Sequence, residues 1–310
     1  MIELQHLSKL YGLVCGINDF DLHLEQGSYG IVGPNGSGKT TLINLITGNL
    51  RPTLGSVKVF GGNPWRDRNV RKKIGLCPAS DLLLPNATGY QWVYYLARLS
   101  GLSNSVARDR AEDCLIKLNM QNAMHQSIGT YSLGMRQRTK LAQALVHDPE
   151  LLILDEPFNG LDPIARHDLC VLLKQLSNDG TNLLIASHVL HELEAVTESF
   201  LLIHGGRLLA SGPARDVPSM LSDFPQQIVL EGLGLDLVAQ QLVDQAWISE
   251  LRFGPDHRSL EIGAADPKRL HERLRTLACQ EGVAIHQVRT PEGNLASAFE
   301  ILVQKQKGDR

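Results

Sequence analysis

The sequence predicts an α/β domain with a helical insertion, followed by a small α+β unit. Three observations carry that expectation. Leu-Leu-Ile-Leu at 151–154 and Asn-Leu-Leu-Ile-Ala-Ser at 182–187 are apolar runs of strand length, as expected of parallel strands buried on both faces. A glycine-rich loop at Gly33–Thr41 stands between a strand-like Tyr-Gly-Ile-Val and a helix-like Lys-Thr-Thr-Leu-Ile-Asn-Leu-Ile. The pattern then breaks between Pro213 and Pro225, where Pro, Ser and Asp cluster.

Taken in order, Ile-Glu-Leu-Gln-His-Leu at the start alternates and reads as a strand. Ser-Val-Lys-Val-Phe at 56–60 does the same after a turn. Between Tyr90 and Met120 a helical period dominates, which marks a helical insertion spanning about 85–145. Beyond the break, 226–232 reads as a strand and 235–246 as a helix. Residues 247–253 and 258–263 read as strands joined by Gly-Pro-Asp-His. Residues 266–280 form a helix with Asp266 as N-cap and Pro267 in the first turn. A strand at 283–288 and a final helix at 294–306 complete a β-α-β-β-α-β series, the ferredoxin-like order. The expected domains are residues 1–218 and 225–310.

Composition narrows the function. The 310 residues include 43% hydrophobic and 20% charged side chains, with a net charge of −3. That argues against nucleic acid as the main partner, since phosphate backbones demand clustered Lys and Arg. The five cysteines, Cys15, Cys77, Cys114, Cys170 and Cys279, show no metal or redox spacing. They read as reduced thiols of a cytoplasmic protein. The first residues do not form a signal peptide, and the apolar runs fall short of the ~20 residues of a membrane-spanning helix. The expected state is soluble, or held at a membrane only by a partner.

Gly33-Pro34-Asn35-Gly36-Ser37-Gly38-Lys39-Thr40-Thr41 fits G-x-x-x-x-G-K-[ST] in the required strand–loop–helix context. The glycines let backbone amides approach phosphates, Lys39 supplies a charge to the β- and γ-phosphates, and the Thr40 hydroxyl is a ligand for Mg²⁺. Leu-Leu-Ile-Leu-Asp-Glu-Pro ends a buried strand on Asp155, at the edge where open parallel sheets bind ligands. Asp155 is the expected second holder of Mg²⁺, and Glu156 the residue that orients or deprotonates a water. Ser132 and Gly134, in Tyr-Ser-Leu-Gly-Met, open a basic helix. Such a start is either an anion site or an ordinary cap.

With these motifs in this order, Met1–Pro213 resembles the nucleotide-binding subunit of an ATP-binding cassette (ABC) transporter, of the drug- and antibiotic-efflux type. The resemblance implies two cassettes paired head to tail around ATP and Mg²⁺. Ser132 and Gly134 of one copy then grip the γ-phosphate held by the other, although Leu133 and Met135 depart from the commoner Gly and Gln. It also implies that Tyr11 stacks on adenine, that Asp162 in Asn-Gly-Leu-Asp-Pro faces the partner, and that His188 contacts the γ-phosphate. A separate transmembrane permease, a homodimeric second cassette and a place at the cytoplasmic face of the cell membrane follow. The alternative is a soluble or regulatory ABC-type ATPase. One position departs: where the family has a metal-touching Gln this sequence has Ala79, whose side chain cannot ligate, with Ser80 and Asp81 as neighbouring donors.

Overall fold

The computed structural model describes residues 1–213, 226–255, 258–278 and 282–289, which divide into two units at Pro213/Ala214. The interdomain stretch expected at Pro213–Pro225 and the final helix expected at 294–306 lie outside the described residues, apart from Pro213 itself.

The first unit opens with a three-stranded antiparallel sheet in the order β2-β1-β4, from β1 (Ile2–Tyr11), β2 (Val14–Leu24) and β4 (Leu54–Val59). Beneath it lies a six-stranded sheet containing β3 (Ser28–Val32), β5 (Ile74–Cys77), β6 (Leu151–Asp155), β7 (Asn182–Ser187), β8 (Ser199–His204) and β9 (Arg207–Pro213). Its order is β5-β6-β7-β3-β8-β9; all neighbours are parallel except β8 and β9. The middle strands are continuous apolar runs because both faces are covered: every residue of β6 and β7 is buried. Helix α1 (Lys39–Ile46) packs Leu42, Ile43, Leu45 and Ile46 into the core that Ile31, Ile153, Leu184 and Leu201 share with Leu4 and Phe20 of the antiparallel sheet. Helix α2 (Arg68–Arg71) is a single turn before β5.

The topology determines where a site forms. Strands β5, β6, β7 and β3 are adjacent and parallel, so their last residues, Cys77, Asp155, Ser187 and Val32, come out on one edge. The loops that follow them carry Ala79, Glu156, His188 and Gly33.

The helical insertion comprises α3 (Gly89–Leu99), α4 (Asn104–Lys117) and α5 (Leu133–Leu145). Thr88 and Gln91 form a reciprocal capping box at the start of α3. Trp92 Nε1 donates to Gln143 Oε1 at 2.7 Å, tying α3 to α5. Tyr131 is buried; its hydroxyl donates to Ala123 O at 2.7 Å and accepts from Gly89 N at 3.2 Å, which fixes the entry to α5. Helices α6 (Pro163–Asn178) and α7 (Leu190–Glu194) flank β7 in the chain.

The second unit contains β10 (Gln226–Leu233), α8 (Leu235–Leu242), β11 (Ile248–Phe253), β12 (Ser259–Ala264), α9 (Pro267–Leu277) and β13 (Ala284–Arg289). Its sheet runs β11-β12-β10-β13 with all neighbours antiparallel. Ile228, Leu230, Leu260 and Ile262 pack against Val238, Leu242, Leu270 and Leu274 of the helices. Asp266 caps α9, accepting from Arg269 N at 3.0 Å.

Candidate active site

The phosphate loop is held open by its backbone. Gly36 and Gly38 have φ of +81° and +109°, which only glycine adopts freely. A Cβ on Gly38 would also stand 2.6 Å from Gly16 O, and one on Gly33 2.4 Å from Ile203 O. Ser37 N donates to Pro34 O at 3.1 Å and Gly206 N to Ser37 O at 2.9 Å, so neighbouring segments pin the loop from outside. Lys39, only 6% exposed, donates through Nζ to Gly33 O at 2.7 Å and Pro34 O at 3.3 Å. Its ammonium is thereby folded over the loop's own opening.

Glu156 joins this lysine to His188. Its Oε1 lies 3.3 Å from Lys39 Nζ, an ion pair without the alignment of a hydrogen bond. Its Oε2 lies 2.8 Å from His188 Nδ1 and accepts from His188 N at 3.4 Å. An ionised carboxylate only accepts, so the proton of this contact sits on Nδ1. Glu156 adopts φ +51°. For a branched-chain-free but bulky L residue this left-handed backbone costs about 1–3 kcal/mol, a strain characteristic of functional turns. Glu156 N donates to Ala186 O at 2.8 Å, which holds the strained turn against β7.

Asp155 is 4% exposed. Burial raises its carboxyl above the usual range, opposed chiefly by the hydrogen bond from Thr40 and then by the charges of Lys39 and Lys140. Thr40 Oγ1 donates to Asp155 Oδ2 at 2.9 Å. Asp155 Oδ1 and Ser37 Oγ are buried without a hydrogen-bond partner. The Thr40 hydroxyl and the Asp155 carboxylate, one of whose oxygens is buried and unsatisfied, form a hard-oxygen donor set suited to Mg²⁺.

Tyr11 is exposed at the end of β1, with Lys9 Nζ 5.4 Å from its ring centroid. Gly16 separates it from the phosphate loop: a Cβ there would meet the Tyr11 ring at 2.9 Å and Thr41 at 3.2 Å. Gly16 and Gly206 are contributors that sequence reasoning missed. The Gly205-Gly206 pair after β8 signals a turn, but its approach to the loop arises only in the folded chain.

Ser132, Gly134 and Asp162 lie apart from these groups. Ser132 caps α5, its Oγ accepting from Met135 N at 3.3 Å, and Asp162 caps α6, accepting from Ala165 N at 2.8 Å. Both are exposed and line one open hollow with Gly134 and Gly160. Among the described residues, none of the three bonds to Lys39, Thr40, Asp155, Glu156 or His188. Gly134 has no internal requirement for glycine, since an added Cβ would meet nothing closer than 3.9 Å. Ala79 is exposed and contributes only its carbonyl, which accepts from Lys140 Nζ at 3.4 Å. Asp81 is engaged by Arg136, with Oδ2 2.7 Å from Nε.

The family profile described as ABC transporter matches residues 17–159. The Nod factor export ATP-binding protein I of Burkholderia orbicola is 35% identical over 282 residues, covering 88% of this chain and 89% of that one. The bacitracin transport ATP-binding protein of Enterococcus faecalis is 37% identical over 212 residues, covering 67% and 68%. A solved structure described as the ATP binding subunit of an ABC transporter superposes with a TM-score of 0.64 at 27% identity, covering 71% of this chain and 93% of that one.

Proposed function

Because the chain belongs to the ABC transporter family, we propose that it is the ATP-hydrolysing subunit of a membrane exporter, working as a cassette dimer on a separate permease. The observation that carries this reading is the Lys39–Glu156–His188 chain of contacts beside the Thr40–Asp155 pair. Export is named for the first of these relatives, which handles a Nod factor, and transport for the second, which handles bacitracin. A purely regulatory cassette has no use for a strained, half-buried glutamate bonded to a histidine, so hydrolysis is the better reading.

The chemistry is assigned to the chain's own residues as follows. The amides of Asn35–Lys39 and the Lys39 ammonium bind the β- and γ-phosphates; phosphate binding draws the ammonium away from Gly33 O. Thr40 and Asp155 hold Mg²⁺, which supplies charge neutralisation on the phosphate oxygens. Glu156 Oε accepts the proton of the attacking water, and His188, oriented by its Nδ1 contact, presents Nε2 towards the γ-phosphate side. Tyr11 offers its exposed ring to adenine. Ser132, Gly134 and Asp162 serve the nucleotide of a second copy, so a homodimer completes two sites.

Among the described residues no helix is long and apolar enough to cross a membrane. The place proposed is the cytoplasmic face of the cell membrane, through the permease. The test is ATP turnover by the purified chain with and without Mg²⁺, together with nucleotide binding by Lys39→Ala. Turnover that needs Mg²⁺, and binding lost in the variant, are expected; absence of both removes the reading.

A further inference from the structure

Lys140 is a lysine in the middle of α5, yet it is only 6% exposed. Buried lysines need partners, because an unpaired ammonium is costly to desolvate. Among the described residues Lys140 has no carboxylate within ion-pair distance. Its Nζ donates instead to two backbone carbonyls, Pro78 O at 3.0 Å and Ala79 O at 3.4 Å. These belong to the loop that leaves β5 on the same sheet edge as Asp155.

Two neighbours on α5 reach the same loop. Gln137 Nε2 donates to Cys77 Sγ at 3.6 Å, and Arg136 pairs with Asp81 at 2.7 Å. The end of β5 and two points of the loop after it are therefore fastened to the helix that Ser132 caps. Cys77, the last residue of β5, pairs in register with Leu154, the residue before Asp155, so the Lys140 ammonium on the Pro78 carbonyl stands beside the strand end that carries Asp155. Its charge thus reaches the metal side of the site as well as the loop.

We propose that Lys140 is a positioning residue of the nucleotide site: its buried ammonium clamps the Pro78–Ala79 loop to α5 and sets a fixed positive charge facing the cation held by Thr40 and Asp155. The inference rests on the reading of Thr40 and Asp155 given above. It assigns to a helix side chain and a loop backbone the organising task that the Ala79 methyl group cannot perform. Two consequences follow. Without the ammonium, two loop carbonyls lose their donor and the loop opens more often, exposing Cys77, which is now fully buried with its thiol pushed up to about 12 by burial. Without the charge, a divalent cation at Asp155 is no longer repelled and binds more tightly.

The experiment compares wild type with Lys140→Met and Lys140→Arg in the full chain. Alkylation of Cys77 by iodoacetamide is followed by peptide mass spectrometry, with Cys114, buried in α4, reporting global unfolding in the same sample. The Mg²⁺ concentration for half-maximal binding of trinitrophenyl-ATP is measured in parallel. Lys140→Met is expected to speed Cys77 alkylation about ten-fold relative to Cys114 and to lower the Mg²⁺ half-point about three-fold. Lys140→Arg is expected to keep both near wild type. Where Lys140→Met does not fold, Lys140→Gln, which keeps a donor and loses the charge, reads the Mg²⁺ arm. Unchanged Mg²⁺ dependence in the neutral variant overturns the inference even if Cys77 is exposed, because the lysine is then only a tether. Wild-type binding indifferent to Mg²⁺ overturns the Thr40–Asp155 reading, and the inference with it; Mg²⁺-dependent wild-type binding with an unaltered Lys140→Met overturns the inference alone.

Discussion

Around Lys39, each functional side chain is held by another: Thr40 by Asp155, Lys39 by Glu156, and Glu156 by His188. Around Ser132, the polar groups do no more than cap their own helices, and Gly134 opens on a hollow. The first region is complete within one chain and stores strain at Glu156. The second has Ser132 and Asp162 exposed at two helix N-termini, α5 and α6, with no bond to the Lys39 cluster among the described residues. Helix N-termini favour anions, so the contrast suggests a site divided between two faces. On the proposed reading, chemistry is prepared in one face and control over when it proceeds resides in the other.

The sharpest way to break that comparison is to disable the prepared half without emptying it. Glu156→Gln keeps the shape of the side chain and removes the proton acceptor. Hydrolysis is expected to fall about 10²–10⁴-fold with nucleotide affinity retained, and an ATP-bound dimer should accumulate on size-exclusion chromatography. Turnover close to wild type in a steady-state phosphate-release assay removes Glu156 from the mechanism.

Next in size is the open half. Ser132→Arg puts a long cation where the proposed partner nucleotide enters. ATP-driven dimerisation, read by light scattering, should be lost while the isolated chain binds nucleotide within about two-fold of wild type, because Ser132 touches none of the Lys39 cluster. A large loss of monomer affinity assigns Ser132 to its own subunit's pocket and dissolves the comparison.

The glycines separate the two regions on stability. Gly38→Ala must place a Cβ at φ +109° and 2.6 Å from a carbonyl; a loss of about 1–3 kcal/mol is expected in urea unfolding. Gly134→Ala meets only ordinary van der Waals contacts, none closer than 3.9 Å, and should be neutral or stabilise by up to about 1 kcal/mol. Any defect it shows should appear only in ATP-driven dimerisation.

Much of the prepared half was legible because it is local. The phosphate loop needs nine consecutive residues, and Asp155 and Glu156 are marked by the apolar strand before them. His188 was reachable because β6 and β7 are both continuous apolar runs, and their parallel pairing brings it to Glu156. Strand β2 was not legible: Gly16, Asn18 and Asp19 interrupt its alternation, and half of it faces solvent. Gly16 and Gly206 matter through backbone approaches between segments far apart in the chain. Lys140 is the plainest case: a lysine inside a helix reads as solvated, and only the loop folded against α5 buries it.

The smallest expected effect concerns that same loop. Ala79 is exposed and its side chain makes no polar contact, whereas Asp81 is already bound to Arg136. Asp81→Ala is therefore expected to leave the Mg²⁺ half-point of nucleotide binding unchanged and, since the pair is half exposed, to alter stability by no more than about 1 kcal/mol. Ala79→Gln adds a neutral oxygen donor in reach of the loop's end. One added ligand or hydrogen bond is worth about 1 kcal/mol, or roughly five-fold in an equilibrium. The variant should bind Mg²⁺ a few-fold more tightly, the same direction as removing the Lys140 charge. If both act at one cation, the double variant with Lys140→Met should deviate from additivity, since neighbours that share a partner couple. Independent, additive shifts would mean that the loop and the lysine act on different steps. A shift produced by Asp81→Ala instead would move the working donor from Ala79's neighbourhood to the Arg136 pair.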